Sequence, residues 1–400
     1  MRKLNHLRQP LQSAKAAKNR LATHLNMWRF ATHGERRFRG DSRYNLENVT
    51  NGFLPRIDDS DDTELLKRIC EAYSKAVNQQ QSEPDIYKAA ARWQQIKQRS
   101  LGPVVQALLT QDIDALRAMY RNFYRDSCSA GLLGAPYGMA KAYFSGKIKD
   151  VHRKFYLSHV LYRFDYWMEQ TDGLFPLSDL ANPGIGNPFG VQIGKTHISV
   201  GSEYAHYCAY RLNGLRNSAP ATIAEIGGGF GGMAYYLLRN QPNTKYLDFD
   251  RPEKVALTSY YLLKAFPKLN CLLYGEKELT KKTIDESDIL LMPSFELSKM
   301  PSASVDITFG SHAMADIRDA ALVEYLAHIT RTTRNCFLYF GNKQASETVS
   351  DLIDQRYNSF QLEKTRTSGW HSYKVSGAGV GGAAALADST TFEQCYKRTR

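Results

Sequence analysis

Ala224-Glu225-Ile226-Gly227-Gly228-Gly229-Phe230-Gly231-Gly232-Met233 decides the fold of this chain. An apolar run, Ala221–Ile226, leads into it, and a helix-forming run, Met233–Asn240, leads out. The order is strand, glycine turn, helix. A ligand can lie against backbone only where Cβ atoms are absent, and a tight strand-to-helix turn needs φ values that glycine alone adopts freely. In an open parallel sheet the ligand sits beyond the carboxyl ends of the strands, where this turn falls.

The glycine spacing fits two cofactor classes. Gly227, Gly229 and Gly232 satisfy GxGxxG, the dinucleotide fingerprint. Glu225 with Gly227, Gly229 and Gly231 satisfies (D/E)xGxGxG, the form that accompanies S-adenosylmethionine. Both cofactors carry a ribose diol, so an acid about twenty residues on suits either. Asp248 and Asp250 stand 21 and 23 residues after Gly227. Glu225 separates the two readings. A carboxylate beside the loop opposes the phosphates of a dinucleotide, yet it can orient the cationic methionine portion of S-adenosylmethionine, directly or through water. S-adenosyl-L-methionine is therefore the expected cofactor.

Downstream, strands and helices alternate. Lys245–Asp250, Asp288–Met292, Val305–Gly310 and Cys336–Gly341 read as strands, and Pro252–Phe266, Asp316–Arg331 and Glu347–Tyr357 as helices. Pro252 suits a first helical turn. Such alternation predicts a parallel sheet with helices on both faces. Phe392–Lys397 is expected as a last strand, antiparallel at the sheet edge, and 376–389 as a glycine- and alanine-rich mobile loop.

Upstream the period is helical: Leu65, Ile69 and Tyr73 behind an N-cap at Asp62 or Thr63, then Ile86, Ala89, Trp93 and Ile96 over 85–99. The expected fold is α/β, with a Rossmann-like sheet in the C-terminal half preceded by an all-α N-terminal domain. Its segments are a basic arm (1–56), a helical domain (57–176), an inter-domain loop (177–200) and a cofactor-binding domain (201–400).

Charge is uneven. The net charge is +12, and residues 1–56 hold twelve Lys/Arg against Glu35, Asp41 and Glu47, so +9 of it lies there. Three readings stay open for this arm: a solvated segment, a contact to nucleic acid, anionic lipid or polysaccharide, and an organellar transit peptide. No apolar run approaches the roughly eighteen residues of a membrane span. The six cysteines form no CxxC, which fits free thiols in a reducing, cytoplasmic setting.

At this point the residues become familiar. EIGGGFGGMAYYLL (225–238), YLDFDRPEKVALTSYYLLKAFP (246–267), LLMPSFELSKMPSASVDITFGSHAMADI (290–317) and IGNPFG (185–190) carry a resemblance, with DDTELLKRICEAYSKA (61–76) and RNFYRDSCSAGLLG (121–134). From about residue 60 to 400 the chain resembles the bacterial sugar O-methyltransferases of polysaccharide and glycoconjugate biosynthesis, class I S-adenosylmethionine-dependent enzymes. The resemblance implies methyl transfer to a hydroxyl of a sugar or glycoconjugate. It excludes the basic arm. It also weakens at Gly310–Asp316, where the family tends to carry Asn or Ser and a later Glu.

Methyl transfer is an in-line displacement that demands alignment, and a sugar hydroxyl needs a general base or a metal. His312, directly after the strand Val305–Gly310, is the expected base. Asp316 has three roles open: orienting His312, binding a metal, or capping the next helix. The expected cofactor-binding set is Glu225, Gly227, Gly229, Gly231, Asp250, Ser294, Phe295, Ser311 and Tyr204. Ser294 and Phe295 stand where adenine contacts fall in this class, with Phe295 as a stacking ring. Tyr204 sits on a short helix at 202–213, expected to pack over the cofactor or between domains. Asn187-Pro188-Phe189 invites comparison with the NPPF-type motif of amino-group methyltransferases but lies upstream of the glycine loop. Use of a divalent metal, homo-oligomer formation, nucleic-acid or protein acceptors reached through the basic arm, and a non-catalytic cofactor-binding module all remain open at the level of sequence.

Overall fold

The computed structural model describes residues 21–22, 24–88, 91–132, 143–216, 220–317, 319–370 and 391–399, with the side chains of 91, 92, 315, 316 and 319 left aside. The loop expected at 376–389 lies outside the described residues.

A short hairpin, β1 (Gly190–Ile193) and β2 (Thr196–Ser199), precedes the main sheet. That sheet contains β3 (Ala221–Ile226), β4 (Thr244–Asp250), β5 (Cys271–Leu273), β6 (Ile289–Pro293), β7 (Val305–Ser311), β8 (Thr333–Asn342), β9 (Phe360–Ser368) and β10 (Thr391–Arg398). Their spatial order is β5-β6-β4-β3-β7-β8-β10-β9. β5 to β8 run parallel with β3 and β4, and β10 is antiparallel to both β8 and β9. The chain winds outward from β3 through β4 to β5 at the edge, steps back to β6 between them, then crosses to β7 on the other side of β3. This is a Rossmann-like α/β sheet, and its order reverses between β3 and β7, the crevice where such sheets bind ligands. All six residues of β3 are buried, as a parallel strand covered on both faces requires.

Among the helices are α1 (Thr63–Ser82), α2 (Gly102–Thr110), α3 (Ile113–Tyr120), α4 (Asp150–Gln170), α5 (Ser202–Asn213), α6 (Gly232–Asn240), α7 (Pro252–Ala265), α8 (Asp319–Thr332) and α9 (Lys343–Arg356). One buried cluster joins the helical segment to one face of the sheet, from Phe38 and Leu66 through Tyr260 and Leu262 to Ile307 and Leu338. The Tyr120 and Tyr260 rings lie 5.2 Å apart across it. A second cluster, with Leu290, Met292, Leu322, Leu326 and Val349, fills the opposite face.

Three sequence expectations change, and one holds in part. The strand around Phe392–Lys397 is antiparallel but interior, inserted between β8 and β9. The edge belongs to β9, whose middle is Glu363-Lys364-Thr365-Arg366-Thr367. A charged edge strand resists pairing with other chains and lacks the apolar pattern that betrays a strand. The helix expected over 85–99 is broken into a 3₁₀ turn (Asp85–Tyr87), a short helix (Ala91–Ile96) and a wide π-type turn (Lys97–Leu101). Pro103, just beyond, has no N–H to donate back into that turn. Asp62 holds the N-cap position as expected, but its side chain makes no capping hydrogen bond. Its buried carboxylate accepts from Arg117 Nε (2.8 Å), Arg121 Nε (3.2 Å) and the Tyr260 hydroxyl (3.1 Å), tying α1 to α3 and α7. Asp61 takes the Thr63 amide instead, at 3.0 Å. Finally, the helix expected from Asp316 begins at Asp319.

Glu393 on β10 is a second buried hub, 2% exposed. It accepts from the Tyr207 hydroxyl (2.8 Å), Arg211 Nη1 (2.5 Å) and Arg366 Nε (2.6 Å). Glu393→Ala strands two guanidinium groups in a low-dielectric setting. We expect it to lower unfolding free energy by about 3 kcal/mol in urea titration.

Candidate functional site

The glycine turn at the end of β3 has Gly227 at φ +83°. A Cβ on Gly227 would lie 2.2 Å from the Ala313 Cβ, in the segment after β7. A Cβ on Gly228 would fall 2.6 Å from the Tyr246 hydroxyl and 2.7 Å from Asp248 Oδ1. These absences let the turn sink between β4 and the β7 segment.

Three carboxylates surround it. Glu225 and Asp248 are register partners on β3 and β4, and Asp250 closes β4. All three are buried. The Tyr246 hydroxyl donates to Glu225 Oε2 at 2.6 Å. The Gly228 amide donates to Asp248 Oδ1 at 2.9 Å. Asp250 Oδ1 accepts from the Arg251 amide at 2.8 Å, and Lys254 Nζ stands 3.5 Å from Oδ2. Oδ2 nonetheless has no hydrogen-bond partner among the described residues, and it would lie 3.9 Å from a Cβ on Gly227. Asp250 therefore presents an unsatisfied acceptor at the lip of the loop. Glu225 is turned toward Tyr246.

Like charges packed this closely are costly when ionised. Burial pushes the Glu225 carboxyl up to about 7, and the charge of Asp250 pushes the same way against the Tyr246 hydrogen bond. Burial, then Asp250 and Glu225, raise Asp248 well above the usual carboxylate range. A raised folded-state value means that the folded protein holds a proton that the unfolded chain has released. The Glu225 contribution is thus fully present below the unfolded value of 4.5 and lost as pH rises through about 7. We expect about 3 kcal/mol of stability to be lost through this group across that window. Denaturant titrations between pH 4.5 and 8 should show Glu225→Gln flattening the slope.

The facing wall comes from the end of β7 and from α5. The Tyr204 hydroxyl shares a hydrogen bond with Ser311 Oγ at 2.9 Å and stands 3.4 Å from His312 Nε2. His312 has φ +59°, which turns its side chain out of the strand line, and its amide donates to the Phe340 carbonyl at 2.9 Å. Burial holds the imidazole below the usual histidine range, so the ring is neutral at physiological pH. Trp370 backs Tyr204, their ring centroids 5.4 Å apart, and Arg163 covers the Trp370 ring while pairing with Glu203.

The ends of β3, β4 and β7 thus set Gly227, Asp250, Ser311 and His312 around the glycine turn, with Tyr204 reaching in from α5. Gly229 lies on the turn itself, and Gly231 faces Thr258 and Leu262 of α7. Two expected residues fare differently. Phe295 has no exposed face: it is buried against Tyr274 at 5.5 Å, so it cannot stack on a base without leaving the core. The backbone of Asp316 closes a 3₁₀ turn (Ala313–Asp316), and its side chain lies outside the described residues. Ser294 is buried next to the register partner of Asp250, Pro293. Asn187 is a scaffold residue. Its Oδ1 accepts from the Arg56 amide at 2.7 Å, and its Nδ2 donates to Asn122 Oδ1 at 2.8 Å.

Two participants escape sequence reasoning. Tyr246 supports Glu225 from 21 residues away. Trp93, from the helical segment, donates to Glu253 Oε1 at 2.7 Å, with Lys254 Nζ 4.4 Å from its ring centroid. Its spacing reads as a helix stripe, with no local sign of that partner. Among the described residues no group of three His, Cys, Asp or Glu side chains could hold a metal ion, and no helix is long and apolar enough to cross a membrane.

No family model matches the chain, and no curated protein sequence matches it. Solved structures do. The mitomycin 7-O-methyltransferase MmcR is 14% identical, with 50% of this chain and 55% of that one covered and a TM-score of 0.32. The N-methyltransferase NodS from Bradyrhizobium japonicum WM9, in complex with S-adenosyl-l-homocysteine, is 11% identical over 50% and 88%, with a TM-score of 0.33. The ribosomal protein L11 methylase from Lactobacillus delbrueckii subsp. bulgaricus is 12% identical over 50% and 80%, with a TM-score of 0.31. The chain spans little more than half the length of the first of these.

Proposed function

We propose that this chain is an S-adenosylmethionine-dependent O-methyltransferase whose acceptor is a hydroxyl of a sugar or glycoconjugate. The observation that carries the cofactor reading is the convergence of Glu225, Asp248 and Asp250 on the glycine turn. A dinucleotide would bring its pyrophosphate against Asp250 and two other buried carboxyl groups that a second negative charge would crowd further. It would also need backbone amides of the turn, one of which, that of Gly228, is already given to Asp248. A cationic cofactor meets the opposite field: it relieves the carboxylate crowding and offers a ribose diol to the unsatisfied Asp250 Oδ2. The acceptor class rests on the sequence segments that resemble sugar O-methyltransferases and on a crevice wall of hydroxyl and imidazole groups.

When bound, S-adenosylmethionine supplies a methyl group on a sulfonium. The chain's own groups do the rest. Asp250 accepts the ribose hydroxyls. Gly227 and Gly229 let the cofactor lie on backbone. Neutral His312 takes the acceptor hydroxyl proton at Nε2. Tyr204, which shares a hydrogen bond with Ser311, stands 3.4 Å from Nε2 and would orient the ring. His312 would thus hold the proton released when the acceptor hydroxyl takes the methyl group that the bound cofactor would supply. Because the leaving thioether is neutral, alignment outweighs leaving-group assistance.

Calorimetry tests the cofactor half. S-adenosylmethionine or S-adenosylhomocysteine is expected to bind, with NADH silent. Tight NADH binding with no response to either sulfur compound would overturn the reading. Transfer of a labelled methyl group to sugar hydroxyls, compared with nucleic-acid and protein pools, tests the acceptor half.

A further inference from the structure

Residues 24–37 form a helix near the start of the described chain, and residues 21–22 are helical as well. One side of this helix is fixed. Phe30 and Ala31 are buried, and Phe30 packs on Phe155 at 5.3 Å and on Tyr162 at 5.6 Å. Gly34 sits so close to α4 that a Cβ there would meet Ser158 Oγ at 2.1 Å, and Lys154 Nζ pairs with Glu35 at 2.6 Å. The helix from about Met27 onward is therefore part of the fold.

The other side is unusual. Leu21, Leu25 and Trp28 are 63%, 47% and 58% exposed. Their spacing of four and three residues puts them on one stripe. Arg29 and Arg36, both exposed, lie along the same outward side, four and eleven residues after Leu25. The chain before the helix adds Arg2, Lys3, Arg8, Lys15, Lys18 and Arg20, with no acid before Glu35.

We propose that this outward face docks the protein on an anionic lipid surface, with Leu21, Leu25 and Trp28 entering the headgroup–acyl boundary and the arginines meeting lipid phosphates. An apolar stripe flanked by basic residues, with tryptophan among the apolar ones, is the composition of a helix that lies in that interface. Polyanion binding alone would leave the leucines unexplained, since phosphate backbones are met by charge. A second copy of the same face would bring like charges together. The proposal does not depend on the reading of the glycine-loop site.

The test uses the full chain in co-sedimentation with vesicles of mixed phosphatidylglycerol and phosphatidylcholine, against phosphatidylcholine alone. Binding is expected to the anionic vesicles, to weaken with salt, and to shift tryptophan emission to the blue. Trp28→Phe should keep the binding and lose most of the shift. Leu25→Glu with Trp28→Glu, and separately Arg29→Gln with Arg36→Gln, should each weaken binding by about tenfold or more. All four positions are exposed, so unchanged circular dichroism and Tm are expected. Wild-type affinity in both double variants overturns the proposal. So does binding of RNA or DNA without vesicle binding, or a concentration-dependent dimer in light scattering that Leu25→Glu with Trp28→Glu abolishes.

Discussion

Replacing His312 with alanine is expected to lower turnover by about 10²–10⁴-fold while leaving S-adenosylhomocysteine affinity within about threefold. Cofactor binding is assigned to the glycine turn and to Asp250, so it is expected to survive removal of the His312 ring. The acceptor hydroxyl, in contrast, loses its base. Two controls sharpen the result. His312 occupies the left-handed region, where alanine is disfavoured by roughly 1–2 kcal/mol and asparagine is better tolerated. His312→Asn should therefore retain the backbone while abolishing the base. The pH profile gives an independent readout. Burial lowers the imidazole value, so the basic form is complete at a lower pH than for a solvent-exposed histidine. The acidic limb of kcat should then lie below about pH 6.5 and vanish in both variants. Normal turnover in His312→Asn would reassign the base.

The legible parts of this chain are those whose chemistry is local. Glu225 to Gly232 announces a strand, a turn and a helix in eight residues, and each of those three decisions is made by side chains, or their absence, at the position itself. The buried parallel strands announce themselves the same way, through apolar runs such as Leu290-Leu291-Met292. β9 does not, because an edge strand under selection against aggregation carries Glu, Lys and Arg where an interior strand carries Val or Ile. The place of β10 is not legible either. Insertion between β8 and β9 is a property of pairing across distant segments. Phe295 teaches the converse. Its place after β6 invites the expectation of a base contact, yet its ring turns into the core, and side-chain direction is not written in the local sequence. Tyr246 and Trp93 act through partners 21 and 160 residues away, so their roles exist only in the folded chain.

Asp250→Ala is expected to weaken S-adenosylhomocysteine binding by about 10²–10⁴-fold, because two charge-assisted hydrogen bonds to the ribose, worth about 1.5–3 kcal/mol each, disappear together. The same substitution should act on the free protein in the opposite direction. It takes one carboxylate out of a buried group of three, and the charge of Asp250 is what adds to burial in raising both Glu225 and Asp248. With Asp250 gone, both neighbours ionise more readily in the folded state, so the Tm of the free protein should hold or rise at neutral pH. Asp250→Asn separates the terms: it keeps an acceptor oxygen and the shape, removes the charge, and should fall between wild type and alanine in affinity. Affinity down with stability unchanged or up is the signature of a group placed for a ligand at the expense of the fold. Affinity and Tm falling together would make Asp250 a structural residue and move the ribose contact elsewhere. The two measurements need only one protein preparation, a calorimeter and a melting curve. They bear directly on why three acids are buried where a folding chain alone would keep none.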